Sequence, residues 1–151
     1  MILLRFLLIP LLLSGALTGC KNEGGTTPAP TTASQTELLV ANNWQITRVS
    51  TTDGQSINQN RLSLNTQVLF NLNMQFRSNN TVRALDRNSK QIINGGTWRL
   101  ATDSKSMDVV VTGFTGNFPV VELSRTKLIL RQRAPVDGKD ADINLEFDPS
   151  L

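Results

Sequence analysis

In VLFNLNMQFR, residues 68–77, the alternation of apolar and polar residues is the strongest in the chain. Phe70, Leu72, Met74 and Phe76 fall on one face of an extended chain, and Asn71, Asn73, Gln75 and Arg77 fall on the other. Successive side chains of a strand point to opposite faces, so the pattern predicts a strand half buried against a core. Ser78-Asn79-Asn80 follows, and because asparagine tolerates the left-handed backbone of a tight hairpin, TVRALD (81–86) is read as the returning strand.

The same alternation of strand and turn extends in both directions. WQITRV (44–49) lies upstream; downstream, Gly95-Gly96 opens TWRLA (97–101), and Thr102-Asp103-Ser104 leads to SMDVVVT (106–112). Phe114-Thr115-Gly116-Asn117 is read as the next turn, before FPVVELS (118–124). Arg125-Thr126 then connects to KLILRQR (127–133), and a loop carrying Asp137-Gly138 precedes INLEF (143–147). These are eight short strands, with helix expected only as a turn or two within 57–66. The fold class is therefore all-β. Short connections favour sequential antiparallel neighbours, hence an eight-stranded up-and-down meander rather than a Greek key. Eight strands close into a barrel that side chains can fill or that holds one small ligand, and closure removes exposed edges. Pro119 is expected to interrupt the ladder locally.

Strand parity points Trp44, Ile46, Phe70, Leu72, Met74 and Phe76 inward, together with Trp98, Leu100, Val109 and Val111. Leu128, Leu130, Ile143, Leu145 and Phe147 complete this set, while Asp108, Glu122 and Glu146 face outward. A ligand held in the interior would meet Trp44, Phe70, Leu72, Met74, Phe76, Trp98 and Leu100.

The amino-terminal run ILLRFLLIPLLL (2–13) contains Arg5 and Pro10 and falls short of the roughly 20 apolar residues of a membrane span. One early positive charge, a short apolar core and the small residues Ser14-Gly15-Ala16 match the plan of a secretory signal, assigned to residues 1–19. Leu17-Thr18-Gly19-Cys20 resembles the bacterial lipobox, in which the peptidase cuts before a cysteine already carrying a diacylglyceryl thioether. The resemblance implies a lipid anchor on Cys20, the only cysteine in the chain. Two or three acyl chains, at about 0.8 kcal/mol per buried methylene, hold a protein at a membrane effectively for good. Lys21 after the cysteine, by similarity to lipoprotein sorting rules, implies the outer membrane of a bacterial cell envelope.

From Lys21 to Thr36 the chain has no large apolar residue and mixes Gly, Pro, Thr, Ser and Ala. Such a segment buries too little surface to offset its ordering entropy, so residues 20–36 are read as a lipidated cysteine and tether with an end-to-end distance of about 20–25 Å. Residues 37–151 remain, enough for one barrel domain. The formal charge is +3, one unit less once Arg5 leaves with the leader, and the basic residues are scattered. That excludes the basic stripe of a nucleic-acid-binding protein.

The order of NNWQITRV, MQFRSNNTVRAL, GGTWRL and VVELSRTKLIL, behind a lipobox and a tether, resembles the lipocalin-like domain of small Bacteroidota lipoproteins. The resemblance spans residues 39–133 and implies a lipocalin-like barrel. Lipocalins proper carry Gly-x-Trp on the first strand, whereas Trp44 here follows Asn42-Asn43.

Catalytic patterns are weak. Ser124-Arg125-Thr126-Lys127 matches Ser-x-x-Lys, but on extended backbone a three-residue step sends the two side chains to opposite faces, and neither Ser-Asp-Asn nor Lys-Thr-Gly accompanies it. Asp137, Asp140 and Asp142 lack the alternating carboxylates of a calcium loop. Without histidine there is no imidazole base and no common zinc site. The chain is read as a monomer and not an enzyme, with no cofactor or metal. Two readings remain: a barrel holding a small hydrophobic ligand, or a packed barrel whose surface binds an envelope protein or glycan. A cavity above about 300 Å³ with an open mouth favours the first, and a filled barrel with an exposed apolar patch the second. Intact-mass measurement of the mature protein is expected to find the leader removed and acyl mass on Cys20, both lost in Cys20→Ser; an uncut leader with a free thiol overturns the anchor.

Overall fold

The structure is a computed structural model that describes residues 34–150. The expected leader, Cys20 and most of the tether lie outside the described residues.

A capping box begins the described chain. The Ser34 hydroxyl accepts the Glu37 backbone N–H, and the Glu37 carboxylate accepts the Ser34 N–H at 2.7 Å, so two donors at a helix start are satisfied reciprocally. Helix α1, Gln35–Val40, follows and buries Leu39. Gln35 and Thr36, expected in the tether, belong to this helix; six residues are too few to display a helical periodicity.

The strands are β1 (Asn43–Thr51), β2 (Leu72–Phe76), β3 (Thr81–Asp86), β4 (Ile92–Leu100), β5 (Ser106–Val111), β6 (Phe114–Leu123), β7 (Leu128–Val136) and β8 (Lys139–Ser150). Each pairs antiparallel with the next, and β8 returns to β1, giving a closed eight-stranded up-and-down barrel. The turn chemistry read from the sequence operates as expected. Asn80 takes φ 62°, and Asp137 and Gly138 take φ 51° and 76°, the two consecutive left-handed residues a type I′ hairpin requires.

Several boundaries differ from expectation. The strand expected over 68–77 spans only Leu72–Phe76. Helix α2, Leu64–Val68, occupies its upstream side, N-capped by the Ser63 hydroxyl on the Thr66 N–H, and Leu69–Asn71 adds a 3₁₀ turn. Phe70 is buried from that turn rather than from a strand; the apolar run Val68-Leu69-Phe70 departs from strict alternation where the helical segments replace the strand. Residues 114–117, expected as a turn, open β6, and the reversal falls at Gly113, which has φ 82°. Gly95 and Gly96 lie inside β4 rather than ahead of it. The β1–β2 connection is long, unlike the short reversals elsewhere. Asn73 was expected on the solvated face; it does lie on the outer face between Gln45 and Leu85, but it is covered there, since parity assigns a face and not what lies over it.

Three irregularities shift the strand phase. In β1 the register jumps between Ile46 and Arg48, so Thr47 is an extra residue and Val49 faces the core opposite Leu145. In β4, Ile93 is the extra residue between the partners of Ala84 and Leu85. In β6 it is Val121, two residues beyond Pro119, which itself keeps its place opposite Ser106.

Closure depends on β1 meeting β8. Inside the seam Ile46 faces Phe147 and Val49 faces Leu145. Outside it, Glu146 is only 7% exposed; it accepts the Ser50 hydroxyl at 2.6 Å and pairs with Arg48 at 3.7 Å and Lys127 at 3.8 Å. Lys127 also binds Asp148 at 2.8 Å, and the bulged Thr47 donates its hydroxyl to the same carboxylate. These bonds, with Lys127 the largest contributor, hold Asp148 below the ordinary carboxylate value of 3.8.

A carboxylate lowered in the folded state stabilises the fold above its unfolded value and loses that contribution as pH falls through the folded one. Stability followed by urea unfolding is expected to drop between about pH 5 and pH 2, less steeply in Asp148→Asn. A Cβ added at Gly96 would run into the Val110 carbonyl, whereas one at Gly95 meets only the Val82 carbonyl at 3.5 Å. Gly96→Ala should therefore cost about 2 kcal/mol and Gly95→Ala much less, read by the same unfolding assay.

Candidate functional site

The two ends of the barrel are built differently. At the lower end, where β1 starts, α1 closes the opening: the Trp44 indole N–H donates to the Leu39 carbonyl at 2.8 Å, and both residues are fully buried. The Trp98 indole donates to the Arg77 carbonyl at 3.0 Å and meets Phe76 edge-on, with centroids 5.8 Å apart. Edge-to-face rings contribute about 0.5–1.5 kcal/mol beyond their buried area. Above this floor Met107, Val109, Leu128, Leu130, Ile143 and Leu145 fill the interior.

At the upper end the β1–β2 connection bends over one side only. Leu62 bridges to Val136, the Ser63 N–H reaches the Pro135 carbonyl, and the Asp137 N–H reaches the Arg61 carbonyl at 2.8 Å. The Arg61 guanidinium pairs with Asp137 at 2.7 Å, which pins the connection to the β7–β8 hairpin. The opposite side, above β2 to β5, stays open.

An apolar recess of about 280 Å³ lies there. Met74 and Ala84 form its inner surface with Val111, and Leu72, Leu69 and Phe114 its walls. Val68, 54% exposed, and Ile93, 60% exposed, form an apolar lip, and Asn65, Asn71, Asp86, Asn94 and Thr112 are the polar residues of the lining. Local structure explains the lip. The Ser63 cap starts α2, which presents Val68 at its last position, and the β4 bulge leaves Ile93 without a ladder partner. The volume falls just below the range of about 300–1,000 Å³ typical of ligand pockets, which limits an occupant to a small molecule. A larger hollow of about 520 Å³ beside the β7–β8 hairpin includes the charged Arg61, Asp137, Lys139 and Asp140 in its lining. Another of about 560 Å³ at the lower end includes Asn42, Asn43, Gln75 and Arg77.

Of the interior residues named from the sequence, Leu72, Met74 and Val111 line the recess. Trp44, Phe76 and Trp98 belong to the filled floor, and Phe70 is buried in the 3₁₀ turn. Leu100, half buried, ends β4 at the lower end. Apolar residues of the recess that the sequence reading did not name are Val68, Leu69, Ala84, Ile93 and Phe114. The serine before Leu64 was the available signal for α2; nothing in the local pattern marks Ile93 as a bulge.

The Ser124–Lys127 segment is a hairpin turn in which the Ser124 N–H donates to the Lys127 carbonyl, while the lysine amine is engaged with Asp148 and Glu146. Asp137 and Asp142 are paired with Arg61 and Arg133.

No family model matches the chain, and no curated protein matches it. Among solved structures the chain is similar to a lipocalin-like protein from Bacteroides uniformis, at 14% identity over 74% of this chain and 98% of that one, with a TM-score of 0.49. It is likewise similar to a DUF4847 family protein from Bacteroides vulgatus, at 14% identity over 74% of this chain and 94% of that one, with a TM-score of 0.48. The closed meander itself rests on the strand pairings.

Proposed function

We propose that the protein is a non-enzymatic lipoprotein of a bacterial cell envelope, held at the outer membrane through Cys20, whose barrel binds one small hydrophobic ligand as a monomer. The observation that carries the binding reading is the recess: apolar within, at Met74, Ala84 and Val111, and open at a lip formed by Val68 and Ile93. An interior otherwise filled by side chains leaves this end as the place where a ligand gains apolar contact without displacing the core. Support for the anchor comes from Leu17-Thr18-Gly19-Cys20 and from the Gly/Pro/Thr-rich stretch that follows. In this reading the folded domain is tied through Cys20 to a bilayer, a source and a sink for apolar molecules.

Native mass spectrometry of the mature protein purified from its own envelope is expected to show one copurifying small molecule. Ala84→Leu, which fills the inner surface of the recess, should abolish that mass while costing no more than about 1–3 kcal/mol in unfolding free energy. Wild-type protein that carries no small molecule and takes up none from an envelope lipid extract sinks the reading, and a ligand retained in Ala84→Leu places binding elsewhere.

A further inference from the structure

We propose that the recess accepts amphiphiles with a neutral or cationic head group and rejects those with an anionic one, an inference that rests on the recess being the ligand site. Its depth is apolar, so a ligand enters tail first and leaves its head at the lip. The polar residues of the lining are Asp86, Asn65, Asn71, Asn94 and Thr112, so Asp86 is its one charged member, and among the described residues no lysine or arginine lines the recess. Asp86 follows Val82 and Ala84 on the inward parity of β3, which brings a carboxylate to the mouth.

That carboxylate is held as an anion by its own turn. Its Oδ1 accepts the Ser89 N–H at 2.7 Å, the Ser89 hydroxyl at 3.0 Å and the Asn88 N–H at 3.0 Å. Ser89, then Asn88 and the nearby charge of Lys90, keep Asp86 below the ordinary value of 3.8. Neither neighbouring cation is placed to receive an anionic ligand. Lys90 lies in the exposed turn outside the recess lining, and Arg87 turns its guanidinium to the Phe70 carbonyl at 3.4 Å. An incoming carboxylate or phosphate would give up water to sit beside a fixed negative charge with no counter-ion in the lining. An alcohol or amide can donate to Asp86 or bond with Asn94, and an ammonium head gains an ion pair.

The volume sets the length of tail. An apolar cavity of about 150 Å³ holds a benzene ring, so a recess nearly twice that size accommodates roughly ten to twelve non-hydrogen atoms. Ten-carbon chains are suitable probes.

Isothermal titration of the mature chain with 1-decanol, decylamine and decanoate, each below its aggregation concentration, tests this. Decanol and decylamine are expected to bind, with decanoate at least about tenfold weaker. Raising the salt concentration should narrow the gap, because the penalty is electrostatic. In Asp86→Asn, which keeps an oxygen for the Ser89 and Asn88 donors, decanoate should approach decanol in affinity and decylamine should lose its advantage. Decanoate binding as tightly as decanol, or a ratio unmoved by Asp86→Asn, overturns the proposal. Failure of all three probes to bind removes the ligand site and the head-group rule together, whereas equal binding by all three removes only the rule.

Discussion

The barrel exists because its first and last strands find each other across nearly the whole chain. The Ser50–Glu146 and Thr47–Asp148 bonds join residues 96 and 101 positions apart, and eight β1 residues are paired to β8. Pairing at such separation incurs loop-closure entropy that local hairpins avoid, so the seam must be favourable on both of its faces. Apolar pairs supply this inside. Outside, Glu146 sits where its charge is tolerated only because Ser50, Arg48 and Lys127 surround it. A carboxylate so enclosed is satisfied in one register alone, since a one-residue slip would turn it toward the core.

Closure then divides the interior into two regimes. Toward the lower end, two indoles with satisfied N–H groups and a helix lid make a floor that takes no ligand without unfolding part of the core. Toward the upper end, the β1–β2 connection is committed by Arg61, Ser63 and Leu62 to the β7–β8 hairpin, so it cannot also cover β2 to β5. The recess follows from this asymmetry. It is the space the connection leaves, lined by residues that would otherwise be core.

The recess therefore belongs to no single strand. Leu72, Met74 and Ala84 come from regular inward positions, Val68 and Leu69 from helical turns, Ile93 from a bulge and Asp86 from a strand end. Leu72 and Met74 were legible from alternation alone. Val68, Leu69 and Ile93 were not, because a bulge inserts one residue without any local mark, and a five-residue helix has too little length to declare a face. Asp86 was legible as polar, but its position at the mouth depends on where β3 stops.

Alternation by twos, with asparagine and glycine at the reversals, was enough in the sequence to establish an all-β chain of eight consecutive antiparallel strands. It also placed most of the residues that fill the interior, because strand parity and turn conformation are local properties of the backbone. The extent of α1 and α2, the three phase shifts, the burial of Glu146 and Asn73, and the division into a filled floor and an open recess were decided only by tertiary structure. Each of these depends on which distant segment lies against a given residue, and that is a property of the closed barrel and not of any stretch of chain.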